Sequence, residues 1–424
     1  MMKTIDRRHA VPFALVTSMF LLWGLANNMT DTLLAAFKRI MSMSDTQTSL
    51  IQFAFYGSYF CFALPAALFI RRRSFKSGII LGLLLYAAGA MLFLPAARVA
   101  SYGLLLYACG AFLFIPAAAY QEFSFFCLSL YILTFGLAFL ETTANPYVMS
   151  MGDPRTATRR LNIAQSFNPV GSILGILMSK YFILDDISLY SISGTYAALG
   201  LVLLGILVVM LFARMPSGKD DDRSDSVGAS FRRLLSNRLY RRGVVAQFFY
   251  VGAQIGVWSF TIRLVMQETG RLEAAASSIY LISIIGHCLS RFIYTGLMRW
   301  FSPSRLLTFG GVMSALLSLT VVLSAGTGWI CITSLVLISS FMSLMFPTIY
   351  GIALGGIMRG EHPGDSKIGA SGLIMSILGG ALLTPLQGMV SDHTNIYTSY
   401  AVPAFCFVVV TAYAVYAHRC KATL

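Results

Sequence analysis

The chain has 424 residues, 57% of them hydrophobic and 11% charged, where soluble domains carry roughly 25% charged residues. Its mean hydropathy is +0.74. Uncharged apolar runs long enough for membrane helices recur along its whole length and do not alternate as barrel strands do, so the class is all-α and polytopic. Most of the +14 net charge lies in short loops between those runs, as positive-inside topology requires, which leaves the lipid bilayer and not nucleic acid as a partner.

Six of the seven cysteines (Cys61, Cys109, Cys127, Cys288, Cys331 and Cys406) fall within apolar segments without C-x-x-C pairs and read as small core residues. The five histidines have no metal-ligand spacing, so no metal is expected. The apolar run after Arg7-Arg8-His9 extends beyond a signal-peptide core and lacks an A-x-A site; it reads as the first span, with no cleaved leader.

In chain order, span 1 covers about 12–37 and follows Lys3, Arg7 and Arg8, which places the N-terminus in the cytoplasm. Span 2, about 49–70, delivers Arg71-Arg72-Arg73-Ser74-Phe75-Lys76 back to the same side. Span 3 covers about 78–97. It is then repeated: Gly82-Leu83-Leu84-Leu85-Tyr86-Ala87-Ala88-Gly89-Ala90 returns 21 residues later as Gly103-Leu104-Leu105-Leu106-Tyr107-Ala108-Cys109-Gly110-Ala111. The echo runs over about 82–118 and reads as a tandem duplication. The basic loop with Arg155, Arg159 and Arg160 must remain cytoplasmic, so only one copy serves as span 3. The first copy is expected to be the displaced one.

Span 4 (127–151), span 5 (161–182) and span 6 (191–212) complete a first half of residues 1–213. The one long polar stretch follows, a basic cytoplasmic linker over 214–242 that contains Lys219-Asp220-Asp221-Asp222-Arg223. Six more spans, at about 243–265, 275–298, 305–325, 328–353, 369–390 and 399–417, make a second half of residues 243–424 with a basic, cytoplasmic tail. The halves echo each other, Asn145-Pro146-Tyr147 of span 4 answering Phe346-Pro347-Thr348-Ile349-Tyr350 of span 10. The architecture expected is twelve helices in two six-helix halves, with an extra copy of span 3.

Two acids lie deep in apolar segments, Asp31 in span 1 and Glu141 in span 4. An acid at membrane depth costs at least ~2.5–3.5 kcal/mol, so it is neutralised or faces a wet cavity. Glu141 has no basic residue in its own span, and desolvation suits it to take up and release a proton. Trp23, Asn27 and Asp31 share a helix face, with Asn28 beside them. An aromatic ring, amides and a carboxylate on one face suit a sugar, the ring against C–H and the polar groups on hydroxyls. Glu141 and Asn145 repeat that spacing, and Asn162, Gln165 and Asn168 form a third stripe. Asn162 stands too near the cytoplasmic loop to reach substrate. In span 7, Gln247, Tyr250, Gln254 and Trp258 form a fourth stripe. Arg291 in span 8 lies toward the cytoplasmic end, where snorkelling or a gating pair is expected. No G-x-x-x-x-G-K-[ST], H-E-x-x-H or G-x-S-x-G occurs, so neither ATP-driven transport nor intramembrane hydrolysis is indicated and no enzyme is expected.

The stretches Leu25-Ala26-Asn27-Asn28-Met29-Thr30-Asp31, Leu140-Glu141-Thr142-Thr143-Ala144-Asn145-Pro146, Leu161-Asn162-Ile163-Ala164-Gln165-Ser166-Phe167-Asn168 and Ala246-Gln247-Phe248-Phe249-Tyr250-Val251 resemble the L-fucose:proton symporter group of the major facilitator superfamily. The likeness runs through Phe341-Met342-Ser343 and Pro347-Thr348-Ile349 to Gly379-Gly380 and Pro385. It implies the twelve-helix major facilitator fold in a bacterial inner membrane, both termini cytoplasmic. It further implies a monomer importing a monosaccharide, L-fucose, by alternating access, with a proton gradient and no cofactor. The proton-coupling acids are then Glu141 and Asp31, the latter also tied to sugar, and Asn28, Gln165 and Asn168 line the cavity. With the residues read above, the substrate set is Asp31, Asn28, Asn27, Gln165, Asn168, Asn145, Gln254, Trp258 and Tyr250. Phe346 stands where this group can place a tyrosine, and the duplicated span departs from its pattern. The alternatives are a glucose/galactose:proton symporter of the same family and a membrane sugar sensor that binds without transporting.

Overall fold

The computed structural model describes residues 9–40, 45–91, 123–179, 189–213, 215, 226–270 and 273–420. Every regular element among them is helical. The first half is built from α1 (Ala10–Ile40), α2 (Asp45–Arg72), α3 (Phe75–Met91), α4 (Phe123–Ser150), α5 (Ala157–Gln165), α6 (Asn168–Ser179) and α7 (Leu189–Phe212). A short helix, α8 (Val227–Ser236), lies in the linker. The second half comprises α9 (Arg238–Thr269), α10 (Glu273–Leu297), α11 (Pro303–Leu323), α12 (Trp329–Phe341), α13 (Met345–Met358), α14 (Asp365–Met375), α15 (Leu378–His393), α16 (Ile396–Ser399) and α17 (Ala401–Arg419).

Among the described residues, spans 5, 10 and 11 are each two helices that meet at a break. Span 5 is α5 then α6, and Pro169 in the first turn of α6 restarts it without a missing donor. Span 10 is α12 then α13, restarted around Pro347. Span 11 is α14 then α15, where Gly379 and Gly380 follow the break. Broken helices leave unpaired carbonyls and N–H groups at membrane depth, which is tolerated only where protein or a cavity meets them.

Within the first half, α1 packs along α6, and α4 packs against α2 and α3. The α1–α6 approach needs glycine: a Cβ on Gly24 would collide with the Asn168 carbonyl, and one on Gly171 with that of Leu21. In the second half α11 lies on α17, and α9 on α15 and α17. Leu201, Val202, Val208 and Val209 of α7 and Leu319 and Leu323 of α11 stay exposed, as a lipid-facing surface requires.

The duplication resolves differently from the expectation. The first copy is not displaced: Ile79, Leu83, Tyr86, Ala87 and Ala90 of α3 are buried, and Gly89 sits against the Leu133 backbone of α4. Sequence could not choose, because Gly103 and Gly110 repeat the same small residues at the same spacing. The second copy lies outside the described residues.

The loops fall on two faces. On the linker face, Arg71 donates to Ser230 Oγ of α8 at 2.9 Å, and Lys76 reaches the Leu211 and Ala213 carbonyls at the end of α7. Arg233 of α8 holds Asp365 of α14 through two bonds of 2.7 and 2.8 Å, and Lys367 stands over the Phe75 ring. On the opposite face, Glu268 at the end of α9 accepts from the Tyr397 hydroxyl and from Gly326 N and Gly328 N. Between the segments before and after the linker, α14 packs along α2 and α13 along α5, and α10 touches α6 and α15 touches α2.

Candidate functional site

Glu141 lies in α4 with 3% of its surface exposed, and neither carboxylate oxygen has a hydrogen-bond partner among the described residues. Burying an ionised carboxylate without partners is far costlier than burying a neutral acid. Glu141 lies close enough to act electrostatically on the hydroxyls of Tyr59 (α2) and Tyr350 (α13), which come from segments on either side of the linker. Tyr59 in turn accepts the indole N–H of Trp23 at 2.7 Å.

One turn further along α4, Asn145 Oδ1 accepts from Gln165 Nε2 at 2.8 Å, while Asn145 Nδ2 and Gln165 Oε1 are buried without partners. Gln165 is the last residue of α5, at the break in span 5. Two buried amides with one bond made and one valence each left over are poised to receive hydroxyl groups. Gln247 of α9 is fully buried with both amide atoms unpartnered, and the Tyr350 hydroxyl is likewise orphaned.

An aromatic bridge spans the halves at this depth. The Trp23 and Phe346 ring centroids are 6.2 Å apart, and Phe346 contacts Tyr250 at 6.4 Å and stacks with Tyr350 at 6.4 Å. Trp258, paired edge-on with His287 at 5.1 Å, donates its indole N–H to Ser339 Oγ at 3.3 Å. The same Ser339 holds His287 Nδ1 through its carbonyl at 2.8 Å.

The structure thus brings Glu141, Asn145 and Gln165 together, with Trp23 and Tyr250 in one aromatic chain. Tyr250 spends its hydroxyl on the Met342 carbonyl at 3.3 Å, leaving its ring for the site. Asn168 donates to Phe20 O and Asn28 to Gly24 O, both at 3.2 Å, so each amide also braces span 1. Gln254 is half-buried. The side chains of Asn27 and Asp31 lie outside the described residues. Arg291 corrects the expectation of snorkelling: it is 3% exposed, and its guanidinium donates inward to Ser343 O at 2.7 Å and Gln165 O at 2.9 Å. Sequence reasoning also passed over Tyr59 and Tyr350, whose only signal was a tyrosine on a span facing Glu141.

The family description Major Facilitator Superfamily matches residues 13–381. The L-fucose-proton symporter of Haemophilus influenzae is 40% identical over 97% of this chain and 97% of its own length. The crystal structure of the transporter FucP in the outward conformation aligns at 33% identity with a TM-score of 0.82, over 97% of this chain and 99% of that one. A glucose/galactose transporter of Brucella abortus is 29% identical over 94% of this chain and 92% of its own length.

Proposed function

We propose that this chain, which belongs to the Major Facilitator Superfamily, imports the monosaccharide L-fucose together with a proton, by alternating access between its two six-helix halves. It is a transporter and not an enzyme. The observation that carries the mechanism is Glu141, a deeply buried acid without a hydrogen-bond partner, next to the half-satisfied amides of Asn145 and Gln165. In the cycle Glu141 is protonated when the site faces outward. Sugar hydroxyls then complete the free valences of Asn145 and Gln165, and the ring lies against the Trp23–Phe346–Tyr250 aromatics. Asp31, Asn27, Asn28 and Asn168 supply the span 1 and span 5 side of the cavity, and Gln254 and Trp258 the span 7 side. Rocking of the halves opens the site inward, where water lowers the cost of the carboxylate and the proton leaves.

The basic loops mark the linker face as cytoplasmic, with both termini there and the bacterial inner membrane as the location. The halves are residues 1–213 and 243–424, joined through 214–242, and the chain works as a monomer driven by the proton gradient without a cofactor.

The test is charge movement in proteoliposomes on a solid-supported membrane. A fucose jump is expected to drive inward positive current in the wild type, and none in Glu141→Gln. A fucose-independent current, or none from the wild type, refutes the reading. A second reading, glucose or galactose as cargo, is favoured by Phe346, which removes a hydroxyl from the site, and by the Brucella relative; currents evoked by those sugars instead of fucose establish it.

A further inference from the structure

Arg291 is a buried cation whose two bonds in the protein go to backbone carbonyls, and those carbonyls belong to different halves. Gln165 O lies at the C-terminal end of α5, and Ser343 O just past the C-terminal end of α12. A helix C-terminus carries roughly half a negative charge in unpaired carbonyls. Two such ends therefore converge on one guanidinium, and their partial charges stand in for a carboxylate. The planar fork of arginine suits this, because it donates in two directions at once; a lysine ammonium on a flexible stem does not hold the same pair rigidly.

The bond to Gln165 O has neighbours that also cross between halves from α5. Asn162 Nδ2 lies 3.3 Å from Thr348 Oγ1, and the Ser166 and Thr295 hydroxyls are 3.4 Å apart. Thr295 stands one turn along α10 from Arg291 and donates to the Arg291 carbonyl at 2.7 Å. So the polar stripe of span 5 is divided: Gln165 offers its side-chain amide to Asn145 in the site and its backbone carbonyl to the second half.

We propose that Arg291 is a positioning residue that couples the site to the gate. It fastens the break in span 5 to the break in span 10, and this fastening must part when the linker face opens. Because Gln165 carries both the Asn145 bond and the Arg291 bond, ligand that engages the Gln165 amide shifts the residue on which the fastening depends. The inference rests on the alternating-access reading but not on the identity of the sugar.

The test places spin labels at Arg72→Cys and Glu361→Cys, exposed positions on the linker face of the first and second halves, in a cysteine-free full-length chain in nanodiscs. Pulsed electron resonance then reads the distance between them. The short, closed-face distance is expected to dominate without Arg291 substitution. Arg291→Met is expected to raise the population with the longer, open-face distance by about tenfold, the effect of losing one charge-assisted hydrogen bond. Arg291→Lys should fall between the two, and it keeps the question answerable if Arg291→Met does not fold. Distance distributions unchanged in folded Arg291→Lys and Arg291→Met protein overturn the proposal; a drop in thermal stability alone, with the distances fixed, marks a structural role. Failure of the wild type to carry fucose leaves this readout untouched and refutes only the sugar assignment.

Discussion

Gln165 Nε2 donates to Asn145 Oδ1 at 2.8 Å, tying the end of α5 to α4 one turn from Glu141. The bond leaves Asn145 Nδ2 and Gln165 Oε1 buried without a partner among the described residues. A folded protein that keeps two unmet amide valences beside an unpaired acid is holding them for something that arrives.

Removing one partner of that pair tests whether those valences serve ligand. Asn145→Ala strands the Gln165 amide, and a buried unsatisfied group costs about 1–3 kcal/mol. Sugar binding is expected to weaken by roughly 5- to 150-fold on the same conversion. Tryptophan fluorescence or calorimetric titration with L-fucose measures it; unchanged affinity removes Asn145 from the site.

Glu141→Gln keeps the shape of the protonated acid and removes the proton. Sugar exchange across the membrane at equal concentrations is expected to survive, whereas accumulation driven by a proton gradient is lost. Stability should not fall, since an unpaired buried acid is replaced by a neutral group. Loss of exchange together with accumulation, in folded protein, contradicts the assignment of Glu141 to the proton alone.

How much of this was legible beforehand depends on what signals one residue emits. Glu141 announces itself because a carboxylate among apolar residues has few cheap explanations. The spans read clearly for the same reason, but the breaks do not, because Pro65, Pro146 and Pro385 lie in apolar runs whose helices continue while Pro169 and Pro347 follow breaks. Of the two expectations for Arg291, snorkelling fails, because only tertiary structure shows two helix ends converging on its guanidinium, and the gating role is the one that the proposal above takes up. The duplication was misassigned because two nearly identical sequences carry the same packing signal, and only the fit of Gly89 against Leu133 distinguishes the copy in place.

That fit gives a further expectation. Gly89→Leu drives a side chain into the α4 backbone and should abolish folded yield, measured by fluorescence-detected size exclusion. Gly110→Leu, the matching change in the second copy, should be milder, since α3 already fills the position against α4. Equal loss from both changes contradicts the assignment of the first copy as span 3.

On the linker face, Asp365→Asn removes the charge that Arg233 grips with two bonds while α8 stays attached through Ser230 and Arg71. Arg233 is partly exposed, which screens the pair, so the cost expected is about 1–2 kcal/mol. A lower melting temperature and faster proteolysis of the linker check it. Resistance equal to wild type shows that α8 is held by other contacts.

The most direct measurement is uptake of labelled L-fucose into proteoliposomes under an imposed inward proton gradient, with and without excess D-glucose or D-galactose. The result expected is accumulation above equilibrium that collapses with the gradient, disappears in Glu141→Gln and resists both competitors. Fucose that enters to the same level with and without the gradient contradicts proton coupling, and no entry at all contradicts the cargo.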